Sequence, residues 1–173
     1  MGPVMETVSK SPLYSVPHPY GMGRPGEESE MNPLDERSKQ TLLTRVRRIP
    51  IFETLGMRIE EFSAGYCKAV VPHDLRYDGV FESFHGGLLM TVADSIACFA
   101  IMTQTGPDEP LTTTDMNIRF LAPCLTDVTV VAKVIKLGRT LCPVAIDLFD
   151  AKGIQVAVAQ VTYLRLGKMP DRR

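Results

Sequence analysis

At 173 residues, 45% of them hydrophobic, the chain is long enough for one domain with an ordinary core and an additional arm. Its 19 lysines and arginines against 20 aspartates and glutamates leave a formal charge of −1, which removes any global electrostatic case for nucleic acid or an anionic membrane. Four scattered cysteines (Cys67, Cys98, Cys124, Cys142) and three histidines share no metal-ligand spacing, so reduced packing cysteines and no metal site are expected.

Met1 opens no basic-then-apolar leader, and no apolar stretch is read as reaching the roughly 18 residues of a membrane span. A cytoplasmic protein without membrane contact is therefore expected. Residues 1–33 hold Pro3, Pro12, Pro17, Pro19, Pro25 and Pro33 with Gly21, Gly23 and Gly26 between them, a composition that forbids regular structure of any length. They read as an arm, mobile or laid over a neighbouring subunit, ahead of a domain over 34–168 and a short tail over 169–173.

From Asp35 to Arg48 the pattern predicts an amphipathic helix, with Asp35 as its cap, Leu42, Leu43 and Val46 as its apolar stripe, and Pro50 ending it. Arg45, Arg47 and Arg48 make a short basic cluster with no interleaved aromatics, hence a solvated face and not a nucleic-acid site. Gly56 marks a turn. Strands follow at Met57–Phe62 and Tyr66–Val71, joined at Ala64-Gly65 as a hairpin. A loop over Pro72–Phe84 precedes a long apolar run. After Gly106-Pro107 four strands are expected: Leu111–Leu121, Val128–Leu137, Leu141–Phe149 and Gln155–Leu166. Antiparallel strands around one central helix make an α+β arrangement.

That central run, Leu88–Met102 (LLMTVADSIACFAIM), is apolar nearly all the way round and contains one charge, Asp94. A helix of this kind is buried on most faces, where a lone carboxylate is costly unless paired or used. Phe84-His85-Gly86-Gly87 precedes it, and the two glycines leave the first backbone N–H groups of the helix unshielded. A water-activating base with an oxyanion site is the chemistry of thioester hydrolysis, Asp94 acting as general base or, less simply, as a nucleophile. Asp94 lies seven residues beyond Gly87, about 10 Å along the axis, so one thioester carbon cannot easily touch both in the same chain. A second, antiparallel copy of the helix closes the site, and a homodimer with composite sites is expected.

The order of elements and the motifs Phe84-His85-Gly86-Gly87 and Asp94 resemble the hotdog-fold acyl-CoA thioesterases of the phenylacetate-pathway and thioesterase-superfamily-member-2 type. Gly56-Met57, the stretch from Thr113 to Pro123, Gly138-Arg139-Thr140-Leu141 and the turn at Asp150–Gly153 agree with that family. The resemblance covers roughly residues 50–166 and implies a hotdog fold, an acyl-coenzyme A substrate with no separate cofactor, and a dimer or a dimer of dimers. It also implies that Thr113 helps hold the attacking water.

His85 is read either as a hydrogen-bond partner of the loop or substrate carbonyl, or as the residue fixing the helix entry. Gly79 stands where many members carry asparagine. Arg119, Lys133, Lys136 and Arg139 are the candidates for coenzyme A phosphates, against their reading as solvated strand and turn charges. Two other activities stay open: a non-catalytic acyl-CoA sensor and an enoyl-thioester hydratase. The hydratase fits less well, because the acid and not a histidine sits on the helix.

Overall fold

The computed structural model describes residues 34–167, so the arm read over 1–33 and the tail read over 169–173 lie outside the described residues. Asp35 caps α1 (Glu36–Val46), its carboxylate accepting the Ser38 N–H at 2.9 Å and the Ser38 hydroxyl at 2.7 Å. Leu42 and Val46 from this helix enter the core. Pro50 does not end α1, which has already closed at Val46. It opens a second short helix, α2 (Pro50–Thr54). Proline lacks an N–H that has no helical partner at the first position anyway, so one residue can serve as either signal.

The strands fall within a few residues of their expected limits: β1 (Arg58–Ser63), β2 (Tyr66–Val71), β3 (Leu111–Phe120), β4 (Val128–Val134), β5 (Leu141–Asp150) and β6 (Gln155–Arg165). β4 stops three residues short because Gly138 turns the chain there. A Cβ on Gly138 would run into the Leu141 carbonyl oxygen, so no larger residue fits that turn. The β5–β6 turn is held by Asp150, whose Oδ1 accepts the N–H groups of Lys152 (2.9 Å) and Ile154 (2.8 Å).

Between β2 and β3 runs α3 (Gly86–Thr105), 20 residues long. It is long and apolar enough to cross a membrane, beyond what the sequence reading allowed. More than half of its apolar stretch is buried inside the protein, as a core helix requires. Val92, Ala93, Ile96, Ala97, Phe99, Ala100 and Ile101 have 1% exposure or none. Burying each large side chain contributes about 1.5–3 kcal/mol, which makes this helix the centre of the fold energetically. Phe99 meets Phe62 of β1 edge-on at 5.3 Å. Near its end, the Thr103 hydroxyl accepts the Gly65 N–H at 2.7 Å and pins the β1–β2 hairpin.

All neighbours in the sheet are antiparallel, in the order β1-β2-β4-β5-β6-β3. The connection through α3 thus carries the chain from β2 to the opposite edge, and the sheet wraps the helix. β3 pairs only with β6 among the described residues, so it is a ten-residue edge strand with most of its side chains exposed.

Candidate active site

The site begins at the entry to α3. His85 is the N-cap, and its Nδ1 accepts the Gly87 N–H at 3.0 Å. An Nδ1 that accepts leaves the ring proton on Nε2. Of the two glycine N–H groups read as open, Gly87 is taken by His85. Gly86 keeps its N–H without an acceptor among the described hydrogen bonds. The Phe120 ring, at the far end of β3, lies against Gly86: a Cβ there would stand 3.0 Å from Phe120 Cζ.

Two turns further along α3, Asp94 is half-buried and accepts two hydroxyls on one oxygen. Thr113 Oγ1 donates to Asp94 Oδ1 at 2.9 Å, and the Tyr163 hydroxyl donates to the same Oδ1 at 2.7 Å. Thr113, which the sequence reading named beside Asp94, is in contact with it. Tyr163 was not named. It sits on β6 directly across from Thr113, 69 residues from Asp94 in sequence. Its signal was present but weak: it ends the inward stripe Ala157, Ala159, Val161, Tyr163, the one hydroxyl in an otherwise apolar row.

A bulge brings the two hydroxyls together. Thr113 pairs with Tyr163, but Asp115 pairs with Thr162, so Thr114 is an extra residue in β3. Beyond it the inward residues of β3 are Met116, Ile118 and Phe120, opposite Val161, Ala159 and Ala157. Without the extra residue the alternation would turn Thr113 to the outer face; with it, Thr113 faces α3.

Burial, then the neighbouring Cys98, pushes the Tyr163 phenol well above its ordinary range, so it stays a neutral donor. Burial, then the Asp94 charge, pushes the Cys98 thiol up to about 11. Cys98 is protonated at neutral pH and is no nucleophile.

The loop over 72–84 sets His85. The His85 N–H donates to the Tyr77 carbonyl at 2.7 Å, and the Tyr77 hydroxyl reaches the Thr54 carbonyl at 2.6 Å. Gly79 lies beside the ring, where a Cβ would be 3.5 Å from His85 Cδ2. An asparagine there would face His85; the glycine leaves that side open.

Three basic candidates are exposed, and the sheet separates Arg119 from the other two. Arg119 is at the end of β3 near Gly86, its guanidinium folded onto Asn117 Oδ1 at 2.7 Å. Lys136 and Arg139 are in the β4–β5 turn, at the end of the sheet where Thr113 and Asp94 lie. Lys133 is half-buried on β4. Within one chain, Gly86 and Asp94 stand eight residues apart on the helix, about 12 Å along its axis.

One antiparallel sheet wrapped around one long helix, with its carboxylate and its glycine N–H on that helix, defines a hotdog-fold enzyme. Comparison with known proteins places it further. The thioesterase superfamily pattern matches residues 81–157. Acyl-coenzyme A thioesterase 13 of Mus musculus is 36% identical over 106 residues, 58% of this chain and 74% of that one.

Among solved structures, the E. coli PaaI protein from the phenylacetic acid degradation operon superposes with a TM-score of 0.72 at 20% identity, over 79% of this chain and 98% of that chain. A Haemophilus influenzae thioesterase gives 0.69 at 23%, over 76% and 92%. The chain belongs to the thioesterase superfamily and is a thioester hydrolase.

Proposed function

We propose that the protein hydrolyses acyl-coenzyme A thioesters to free acid and coenzyme A. The observation that carries this reading is Asp94, a half-buried carboxylate on an apolar helix whose Oδ2 takes no hydrogen bond among the described residues. Asp94 takes a proton from water as its oxygen attacks the thioester carbon. Negative charge grows on the carbonyl oxygen, which the Gly86 N–H and the helix dipole stabilise. The C–S bond then breaks, and the coenzyme A thiolate leaves with the proton. Thr113 orients the water or the base. The His85 Nε2–H adds a donor at the entry to α3.

The working unit in this reading is a homodimer with composite sites. Gly86 and Phe120 mark one end of the α3–β3 layer, Asp94 and Thr113 the other. If two β3 edges pair antiparallel about a dyad near Met116 and Asn117, Thr113 comes opposite the partner's Phe120. Asp94 then approaches the partner's Gly86. The same pairing carries Arg119 of one chain towards Lys136 and Arg139 of the other, where they would meet coenzyme A phosphates. A dimer of dimers, no separate cofactor and a cytoplasmic setting complete the proposal, the last supported by four free cysteines.

The test is release of free thiol from a panel of acyl-CoAs differing in length and ring content. Turnover on some member supports the reading, and the best one names the acyl pocket. Binding of acyl-CoA without thiol release makes the protein a sensor of these molecules.

A further inference from the structure

We infer that Tyr163 is a positioning residue for the base: with Thr113 it occupies Oδ1 of Asp94 and so assigns Oδ2 as the oxygen that takes the proton from water. The inference rests on the reading of Asp94 as the base. A carboxylate oxygen has two lone-pair sites. On Oδ1 both are used, by Thr113 at 2.9 Å and Tyr163 at 2.7 Å. Oδ2 keeps both of its own.

Tyr163 suits this role for reasons that Thr113 does not share. It is 4% exposed, its ring packed in the core, so its hydroxyl cannot swing to water. The same hydroxyl lies 2.9 Å from the Asp94 backbone carbonyl, which ties it to the helix at the residue it serves. The bulge at Thr114 completes the clamp by turning Thr113 to the same face. Two cross-strand hydroxyls thus fix the carboxylate plane, and with it the direction of Oδ2.

No salt bridge reaches Asp94 among the described residues, so the carboxylate is oriented by these two hydroxyl donors. Charge-assisted hydrogen bonds are the strong class, which suits them to hold its plane. The other titratable group facing the cluster is Cys98, from α3 itself, which stays protonated. Asp94, Tyr163 and Cys98 are the ionisable groups that face one another here.

The experiment compares wild type with Tyr163→Phe, which keeps the ring and deletes only the hydroxyl, and with Thr113→Ala. In Tyr163→Phe we expect kcat on the best acyl-CoA to fall about tenfold to a hundredfold with KM unchanged. Melting should stay close to wild type. Thr113→Ala should likewise lower kcat with KM unchanged. A lowered melting temperature with wild-type kcat would overturn the inference, leaving Tyr163 a packing residue.

A second readout does not depend on turnover. In a crystal structure of Tyr163→Phe, the Asp94 carboxylate should be rotated out of the plane it holds in a wild-type crystal. If wild type turns over no acyl-CoA yet the carboxylate rotates in the variant, the clamp stands and the choice of reaction fails. If the carboxylate keeps its plane, the clamp fails whatever the activity.

Discussion

His85 Nδ1 accepts the Gly87 N–H at 3.0 Å, so the residue before α3 closes its first turn and determines which glycine stays open. The cap needs a neutral ring, because a protonated imidazole offers two donors and no acceptor. His85→Ala should cost about 1 kcal/mol in urea unfolding, and His85→Asn, a residue favoured at this position, should recover most of it. An alanine variant as stable as wild type would show that the ring is no cap.

With Gly87 occupied, the proposed oxyanion role falls on Gly86, and its N–H can be deleted cleanly. Gly86 is the first helical residue, where proline is accepted, and His85 already has the extended ψ of 126° that a following proline requires. The Phe120 ring against Gly86 is 51% exposed and free to swing aside. Gly86→Pro should therefore fold as well as wild type, with kcat on acyl-CoA reduced by about a hundredfold or more. Full activity in a folded proline variant would move the oxyanion site elsewhere.

Composite sites make a sharper demand. Asp94→Asn and Gly86→Pro, each inactive alone, should complement when unfolded and refolded together. Half of the dimers are then hybrids, and one of the two sites in each hybrid is intact, giving about a quarter of wild-type activity. A mixture as inactive as its components would mean that each chain carries its own site.

The frame was legible because its signals are local and repeated. An apolar run with a Gly-Gly entry fixes α3, and alternating strands with turn residues fix β1 to β6 to within a few positions. Asp94 and Thr113 stood out as chemistry and do meet, at 2.9 Å. What escaped depends on pairing. The partnership of Tyr163 with Asp94 follows from strand register, and the turning of Thr113 inward follows from an extra residue that no alternation pattern marks. Pro50 misled because one residue type closes one helix and opens the next. That His85 takes the Gly87 N–H is a matter of rotamer, which spacing does not encode.

Alkaline pH should destabilise the fold. Burial raises the Cys98 thiol from 9.0 to about 11 and the Tyr66 phenol from 10.0 to about 12, and it raises Cys67 as well. A group whose folded value is raised stabilises fully below its unfolded value and ceases to as pH climbs through the folded one. For Cys98 that window is pH 9 to 11, and about 2–3 kcal/mol is lost across it. Urea unfolding at pH 8 and pH 11 checks this, with Cys98→Ala expected to flatten the difference. Equal midpoints at both pH values in wild type would refute the assignment.

The most direct measurement is kcat for thiol release by Asp94→Asn beside wild type, on the best acyl-CoA at saturation. Asparagine keeps the size and the Oδ1 acceptor but holds no proton-accepting carboxylate. The account predicts a fall of about 10² to 10⁴ in kcat, with KM and melting near wild type. An Asp94→Asn enzyme that turns over at the wild-type rate would contradict it, since the water would then be activated without this carboxylate.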